Sequence, residues 1–170
     1  MIINREALKN IANLEGQTCF GCGEANPVGL HMHFQTDEQR VYSFVTIPAV
    51  MAGWDRTAHG GVISTVLDEI MGWSVIYLAK KIGVTKSMTV DFLKPIYVEQ
   101  PLTVIGAIEA MPSERQIMVS GAIYADGEVL CAKAIGDFAA MPAKTAVRLG
   151  VMSVEYMKRF LPVLEQKRDD

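Results

Sequence analysis

A single stretch, residues 59–69 (HGGVISTVLDE), holds the residue types that could act on a carbonyl group. It opens with His59 and two glycines, and Asp68 follows two helical turns later. The first N–H groups of a helix have no acceptor within the helix and carry partial positive charge, so they can stabilise a developing oxyanion. Because Gly60 and Gly61 have no side chains, a substrate carbonyl can come close to these N–H groups. The stretch therefore predicts attack on a carbonyl, with Asp68 as the general base or the nucleophile.

Helical geometry would place the small and polar residues of this stretch along one lane. At about 100° per residue, that lane holds Gly61, Ser64 or Thr65, Asp68 and Gly72. The rest of the circumference is mostly apolar, and Glu69 lies off the lane, on the side of Trp73. A structural interpretation stays open, because a Gly-Gly pair often serves only as a helix entry and a lone Asp often belongs to a structural network.

Length and composition favour one domain without nucleic-acid or membrane partners. The 170 residues suit a single domain. A net charge of −3 and a pI near 5.6 argue against a nucleic-acid surface, and no apolar run is long enough for a transmembrane span. Half of the residues are hydrophobic, an excess that we expect to serve a subunit interface. The odd number of cysteines, three, is typical of a reducing compartment, so we expect a cytoplasmic protein.

The periodicity of apolar residues predicts one long helix among many strands. The predicted elements are a helix at 4–15, a hairpin of strands 30–36 and 40–47, a loop at 48–58, a central helix at about 60–80, strands at 85–94, 101–111, 114–125 and 128–140, and a last helix capped by Ser153. A long apolar helix followed by a meander of long strands indicates an α+β fold, in which an antiparallel sheet wraps around one central helix.

Three segments of the chain, 53–69, 19–34 and 89–96, together resemble the hotdog-fold acyl-CoA thioesterases of the PaaI-like branch. The first contains GWDRTAHGG and LDE, the second contains CFGCG followed by NP and GL, and the third reads TVDFLKPI. The resemblance covers roughly residues 19–140 and implies the hotdog fold. We expect a hotdog domain over 1–143, including the N-terminal helix and loop, and a helical appendage over 144–170.

The resemblance implies hydrolysis of an acyl or aryl-acyl thioester to a carboxylic acid and free coenzyme A. Asp68 would activate water or attack the thioester, while Gly61, together with Gly60, would polarise its carbonyl through backbone N–H groups. His59 would shape this loop by hydrogen bonding. In such proteins the helix start of one subunit faces the carboxylate of its neighbour, so we expect a homodimer or a dimer of dimers. No metal or organic cofactor is required, since coenzyme A is part of the substrate.

Three further residues are predicted to bind the substrate. The hydroxyls of Thr65 and Thr85 are candidates for placing water, with ordinary packing as the alternative. Lys94 is a candidate for the phosphates of coenzyme A, as are Lys86, Arg115 and Lys133, although each could be a solvated surface charge.

One departure from the family pattern leaves a second function open. Many relatives carry an Asn or Gln upstream of the His-Gly-Gly sequence, whereas this chain has VMAG at 50–53. The alternative is a non-catalytic acyl-CoA-binding hotdog module, acting as a sensor or an interaction protein.

The cysteines near the N-terminus raise the question of a metal. Cys19 and Cys22 have the spacing of metal ligands, and His31 and His33 would lie on one face of a strand. Four such ligands could bind tetrahedral zinc. Buried thiols and surface imidazoles are the favoured interpretation, so no metal is assigned.

Overall fold

The computed structural model describes residues 3–167 and contains a long helix enclosed by an antiparallel sheet. The strands are β1 (Lys9–Ile11), β2 (Phe34–Thr36), β3 (Val41–Thr46), β4 (Ala52–Trp54), β5 (Thr57–Ala58), β6 (Ile82–Phe92), β7 (Pro101–Ser113), β8 (Gln116–Ala125) and β9 (Val129–Met141), and the helices are α1 (Gly60–Ala79), α2 (Ala143–Arg148) and α3 (Val154–Leu164). Seven strands form one sheet in the order β1-β2-β3-β7-β8-β9-β6, and β4 pairs with β5 in a small ribbon. This is the predicted hotdog architecture, so the predicted fold class is confirmed.

Helix α1 is the core of the molecule. Its apolar side chains, among them Val66, Leu67, Ile70 and Met71, are completely buried against the sheet. Burial of each such side chain contributes about 1.5–3 kcal/mol. The sheet comes close to α1 at Gly106 on β7, where a Cβ atom would lie 2.4 Å from the Ser74 Oγ. Length and composition alone would allow α1 to cross a membrane, but here it is the core helix of the sheet.

The central helix and the four long strands after it lie within a few residues of their predicted positions. These elements have strong periodic patterns. The last helix is also confirmed, since the Ser153 side chain accepts a hydrogen bond from the Tyr156 N–H and caps α3. The division of the chain at residue 143 stays a prediction.

The predicted N-terminal helix at 4–15 is wrong. The chain forms a single 3-10 turn at Arg5–Ala7 and then strand β1, which pairs with β2. Asn4 provides no side-chain cap for a helix. The open edge of β2 offers the backbone a ladder of hydrogen bonds, and Ile11 is buried by that pairing. A short apolar periodicity is outweighed by such a contact with a distant strand.

The predicted strand at 30–36 forms only at its end. Residues 30–32 instead bond to the cysteine loop, with the Leu30 N–H donating to the Phe20 carbonyl at 2.9 Å and the Met32 N–H donating to the Gly21 carbonyl at 3.0 Å. His31 takes a left-handed conformation with φ of 49°. The predicted loop at 48–58 also contains the ribbon of β4 and β5, and α2 was not predicted.

Candidate functional site

The start of α1 is held in place by hydrogen bonds from the backbone before it. The Ala58 N–H donates to the Ile96 carbonyl at 2.8 Å, and the His59 N–H donates to the Met51 carbonyl at 3.0 Å. His59 is the N-cap of α1, and its Nδ1 accepts a hydrogen bond from the Gly61 N–H at 3.0 Å. A neutral imidazole that accepts at Nδ1 carries its proton on Nε2. The exposed His59 ring therefore presents an N–H donor at the helix start.

This cap changes which backbone donor is available at the helix start. The Gly61 N–H, predicted to polarise a substrate carbonyl, is bonded to His59. The Gly60 N–H has no hydrogen-bond partner among residues 3–167. The donors available at the helix start are thus the Gly60 N–H and the His59 Nε2–H.

A groove of about 280 Å³ lies beside this helix start. It is lined by Gly60, Ile63, Lys94 and the apolar residues around them. Phe92 and Leu93, which also line the groove, are 55% and 48% exposed. Lys94 was predicted from the sequence to bind a phosphate of coenzyme A. Phe92 was not predicted as a site residue, because its position on a strand indicated only packing.

Asp68 faces strand β6 and bonds to a residue of that strand. The Thr85 Oγ1 donates to the Asp68 Oδ1 at 2.7 Å. Both residues, with Gly72 of the predicted lane, line a cavity of about 210 Å³. The sequence suggested Asp68 and Thr85 separately, and the packing of α1 against β6 joins them. Thr65 lies one turn earlier, and its hydroxyl donates to the Gly61 carbonyl at 3.0 Å.

The two halves of the predicted site are far apart within one chain. Gly61 and Asp68 are seven residues apart on α1, and at 1.5 Å of rise per residue this separates them by about 10 Å along the axis. Within one chain, the helix start and the backbone of Asp68 are therefore about two turns of α1 apart.

A second cluster lies on the neighbouring side of α1, where the N-terminal loop packs. Potential ligand atoms of Cys19, Cys22 and Glu69 lie within 4.8 Å of one another. The Cys19 Sγ and the Glu69 Oε1 are 3.2 Å apart. The Cys22 sulfur is buried and accepts hydrogen bonds from the Trp73 Nε1–H at 3.4 Å and the Gln17 Nε2–H at 3.6 Å.

The surroundings shift the pKa values in this cluster in opposite directions. A hydrogen bond with the Cys22 thiol lowers the pKa of Cys19 to about 5. The same bond, together with burial, raises the pKa of Cys22. Desolvation raises the pKa of the Glu69 carboxyl to about 8, and the negative charge of Cys19 adds to that effect. The Cys19 thiol is therefore the more readily ionised of the two cysteines.

The predicted histidines are not part of this cluster. His31 and His33 are both exposed, and the His33 Nδ1 lies 3.9 Å from a Glu24 carboxylate oxygen. The convergent group found within residues 3–167 replaces the two histidines by Glu69. The sequence could not show this, because the left-handed backbone at His31 and the docking of the loop onto α1 are both tertiary features.

Two of the cations proposed for phosphate binding have acidic partners. The Lys86 Nζ lies 2.6 Å from an Asp137 carboxylate oxygen, and the Lys133 Nζ lies 3.7 Å from one of Asp91. Lys94 is exposed and lies at the groove by the helix start. It is therefore the best placed of these cations for a ligand bound there.

Within residues 3–167, the amide side chain that lines the same cavity as Asp68 is that of Gln17, which is buried. Its Oε1 accepts a hydrogen bond from the Tyr156 hydroxyl at 3.1 Å, and its Nε2–H donates to the Cys22 sulfur. Because both ends of the amide are bonded, Gln17 serves to dock α3 onto the loop.

Comparison with known proteins extends the resemblance seen in the sequence. Residues 56–132 match the family model of the thioesterase superfamily. No protein with a curated description matches the chain.

Solved structures with the same fold include several thioesterases. One thioesterase superfamily protein is 24% identical with a TM-score of 0.62, and the match covers 67% of this chain but only 56% of that protein. The E. coli PaaI protein, from the phenylacetic acid degradation operon, is 17% identical with a TM-score of 0.60, covering 66% of this chain and 80% of that one. A hypothetical thioesterase from Streptococcus pneumoniae TIGR4, solved with coenzyme A, is 22% identical with a TM-score of 0.57, covering 61% and 82%.

Proposed function

We propose that this chain, whose residues 56–132 match the family model of the thioesterase superfamily, hydrolyses an acyl or aryl-acyl thioester of coenzyme A to a carboxylic acid and free coenzyme A. The observation that carries the proposal is the hydrogen bond from the Thr85 hydroxyl to the Asp68 carboxylate in a cavity beside α1. This bond fixes one carboxylate oxygen and leaves the other free to accept a proton from water or to attack the carbonyl. Thr85 is thus a positioning residue for Asp68.

The start of α1 supplies the groups for the developing oxyanion. The Gly60 N–H and the His59 Nε2–H are the donors for the thioester oxygen, and the Gly61 N–H joins them if the His59 ring turns away from its cap position. Loss of one such donor typically lowers kcat by about 10²–10³-fold, because these donors stabilise charge that develops only in the transition state.

The proposed active site is shared between two chains. The separation of about 10 Å between Gly61 and Asp68 along α1 supports a site in which one carbonyl meets the helix start of one chain and the carboxylate of another. Strand β6, which carries Thr85, is the last strand in the sheet order. An edge strand of this length, Ile82–Phe92, is suited to pairing with a second copy. The smallest assembly with a complete site is a homodimer.

Coenzyme A would bind at the groove beside the helix start. Lys94 provides a cation for a phosphate, and the exposed Phe92 ring provides an apolar surface for the ligand. The Streptococcus pneumoniae protein was solved with coenzyme A, and also as variants in which an Asp or a Thr is replaced by Ala. These two positions are spaced in that protein much as Asp68 and Thr85 are spaced here.

The first experiment is a panel of acetyl, longer-chain and aryl-acyl coenzyme A substrates, with release of the free thiol followed spectroscopically. Turnover of at least one member supports the proposal. Binding of acyl-CoA without release would contradict it and favour a non-catalytic acyl-CoA-binding module, such as a sensor or an interaction protein.

The shared site is tested by mixing two inactive variants. Gly60→Pro removes one N–H donor but suits the first turn of a helix, and the extended backbone at His59 is compatible with a following proline. We expect kcat to fall by about 10²–10³, whereas Gly60→Ala, which keeps the N–H, should lose far less. Random mixing with Asp68→Asn should restore roughly a quarter of wild-type activity, since half of the dimers are mixed and each has one intact site. No recovery from verified mixed dimers would place both groups in one chain and contradict the shared site.

A further inference from the structure

We propose that Cys19, Cys22 and Glu69 bind a divalent metal ion that prefers thiolate ligands, with zinc as the representative ion. The proposed metal site lies beside the candidate catalytic carboxylate but does not depend on thioester hydrolysis. The loop at 19–23 brings two sulfur atoms onto α1, and α1 supplies the carboxylate.

The geometry of the three side chains suits one small ion. Their ligand atoms all lie within 4.8 Å of one another, and the Cys19 Sγ is 3.2 Å from the Glu69 Oε1. Zinc binds sulfur at about 2.3 Å and carboxylate oxygen at about 2.0–2.2 Å in a tetrahedral arrangement. Only small side-chain rotations are therefore needed to place all three around a common centre.

The glycines of the cysteine loop make room for this arrangement. A Cβ atom on Gly21 would lie 2.0 Å from the Glu69 Cγ and 2.8 Å from its Oε1. A Cβ atom on Gly23 would lie 2.4 Å from the Cys19 backbone nitrogen. Both glycines are thus sterically required where the loop turns and where it meets Glu69. The CFGCG segment therefore places two sulfur atoms beside the carboxyl group of Glu69.

The neighbours of the cluster also suit a metal-bound thiolate. The Cys22 sulfur accepts N–H bonds from Trp73 and Gln17, and N–H donors of this kind support and orient thiolate ligands. Glu69 forms no ion pair with a Lys or Arg within residues 3–167. A divalent ion would displace the protons of the two thiols and the carboxyl group and would balance the charge that these three groups then carry.

The site offers three protein ligands, and no fourth His, Cys, Asp or Glu within the described part of the chain joins the group. The fourth position would take water, as in zinc sites that keep an open coordination position. Cys19, Cys22, Glu69 and Asp68 all line the cavity of about 210 Å³, so that position lies near the candidate catalytic centre. The ion would fix the N-terminal loop to α1.

The test starts with the intact protein, purified without chelator under reducing conditions. We expect one zinc per chain by elemental analysis, or one after the chelated protein is reloaded with zinc. Cobalt loading should give the charge-transfer band of a cobalt–thiolate bond. A ratio near zero in both preparations would overturn the proposal. So would a Cys19–Cys22 disulfide in freshly purified protein, shown by peptide mass mapping, since it would identify a redox pair.

Single variants test the ligand set. Each ligand is replaced in turn, in the variants Cys19→Ser, Cys22→Ser and Glu69→Gln. Loss of a residue that only hydrogen-bonds to a metal ligand lowers affinity by roughly 10–100-fold, so we expect each of these variants to lower the affinity for cobalt by more than that. Cys131→Ser replaces the third cysteine, which is buried elsewhere and lies 3.3 Å from the Val129 carbonyl, and His33→Ala removes an exposed imidazole. Both controls should bind as wild type does. Equal loss in the controls, or none in the isosteric Glu69→Gln, would contradict this ligand set.

Discussion

Two neighbouring carboxylates on α1 face different parts of the molecule. Asp68 faces β6 and accepts one hydrogen bond from a threonine at the edge of the sheet. Glu69 faces the N-terminal loop and contacts two cysteines. The rotation of about 100° between successive helical residues therefore turns Asp68 toward the edge strand β6 and Glu69 toward the chain's own N-terminal loop, although both line the same cavity. The position of each carboxylate on the helix, more than the difference between Asp and Glu, determines which groups it contacts.

The difference appears in the glycines on the two sides. A Cβ atom at Gly72, near Asp68, would meet nothing within 4 Å, whereas one at Gly21 would overlap Glu69. The β6 side has space for a substrate or a partner chain. The loop side is filled by the chain itself, which suits a fixed ligand site.

The largest expected effect is that of Asp68→Asn on turnover. Loss of the general base should lower kcat by about 10²–10⁴-fold, measured by thiol release from the best substrate of the panel. The cobalt–thiolate band should persist, because Asp68 is not among the proposed ligands. Near wild-type hydrolysis by a folded variant would remove Asp68 from the mechanism, and loss of the band would show that the two sides of α1 act as one site.

A smaller effect is expected for Thr85→Val, which removes the hydroxyl but keeps the shape of the side chain. A hydrogen bond to a charged group is worth about 1.5–3 kcal/mol, which corresponds to a fall in kcat of about 10- to 100-fold. KM should change little, since Thr85 acts through Asp68, and the acidic limb of the pH–rate profile should move. Thr89→Val, an exposed position on the same strand, is the matched control. Equal rates in both variants would mean that the hydroxyl has no positioning role.

The smallest expected effect is on the free energy of unfolding, and it compares the loop side of α1 with its β6 side. Gly21→Ala forces a Cβ atom to within 2.0 Å of the Glu69 Cγ, and overpacking of this kind costs about 1–3 kcal/mol. Gly72→Ala has open space and should stabilise the helix by about 0.5–1 kcal/mol. Urea unfolding of both variants measures the difference. If Gly21→Ala is as stable as wild type, the loop side is not closely packed.

The elements that could be predicted from the sequence are those with a long, regular pattern. The central helix spans twenty residues and each of the four following strands spans ten or more, so periodicity identifies them. The short β1 and the 30–33 segment could not be predicted, because their conformations depend on hydrogen bonds to distant residues. Asp68 and Thr85 were named from the sequence, but not as hydrogen-bonded partners.

The sequence by itself determined the long central helix, the antiparallel strands that follow it and the position of the carboxylate on α1, because each depends on local spacing and side-chain chemistry. Only the tertiary structure decided that Asp68 bonds to Thr85, that His59 occupies the Gly61 N–H, and that Glu69 rather than a histidine meets the two cysteines. These contacts join residues from separate elements, or depend on how a side chain turns within its loop. Periodicity fixes the face on which a side chain lies, whereas its partner is fixed by how the elements pack.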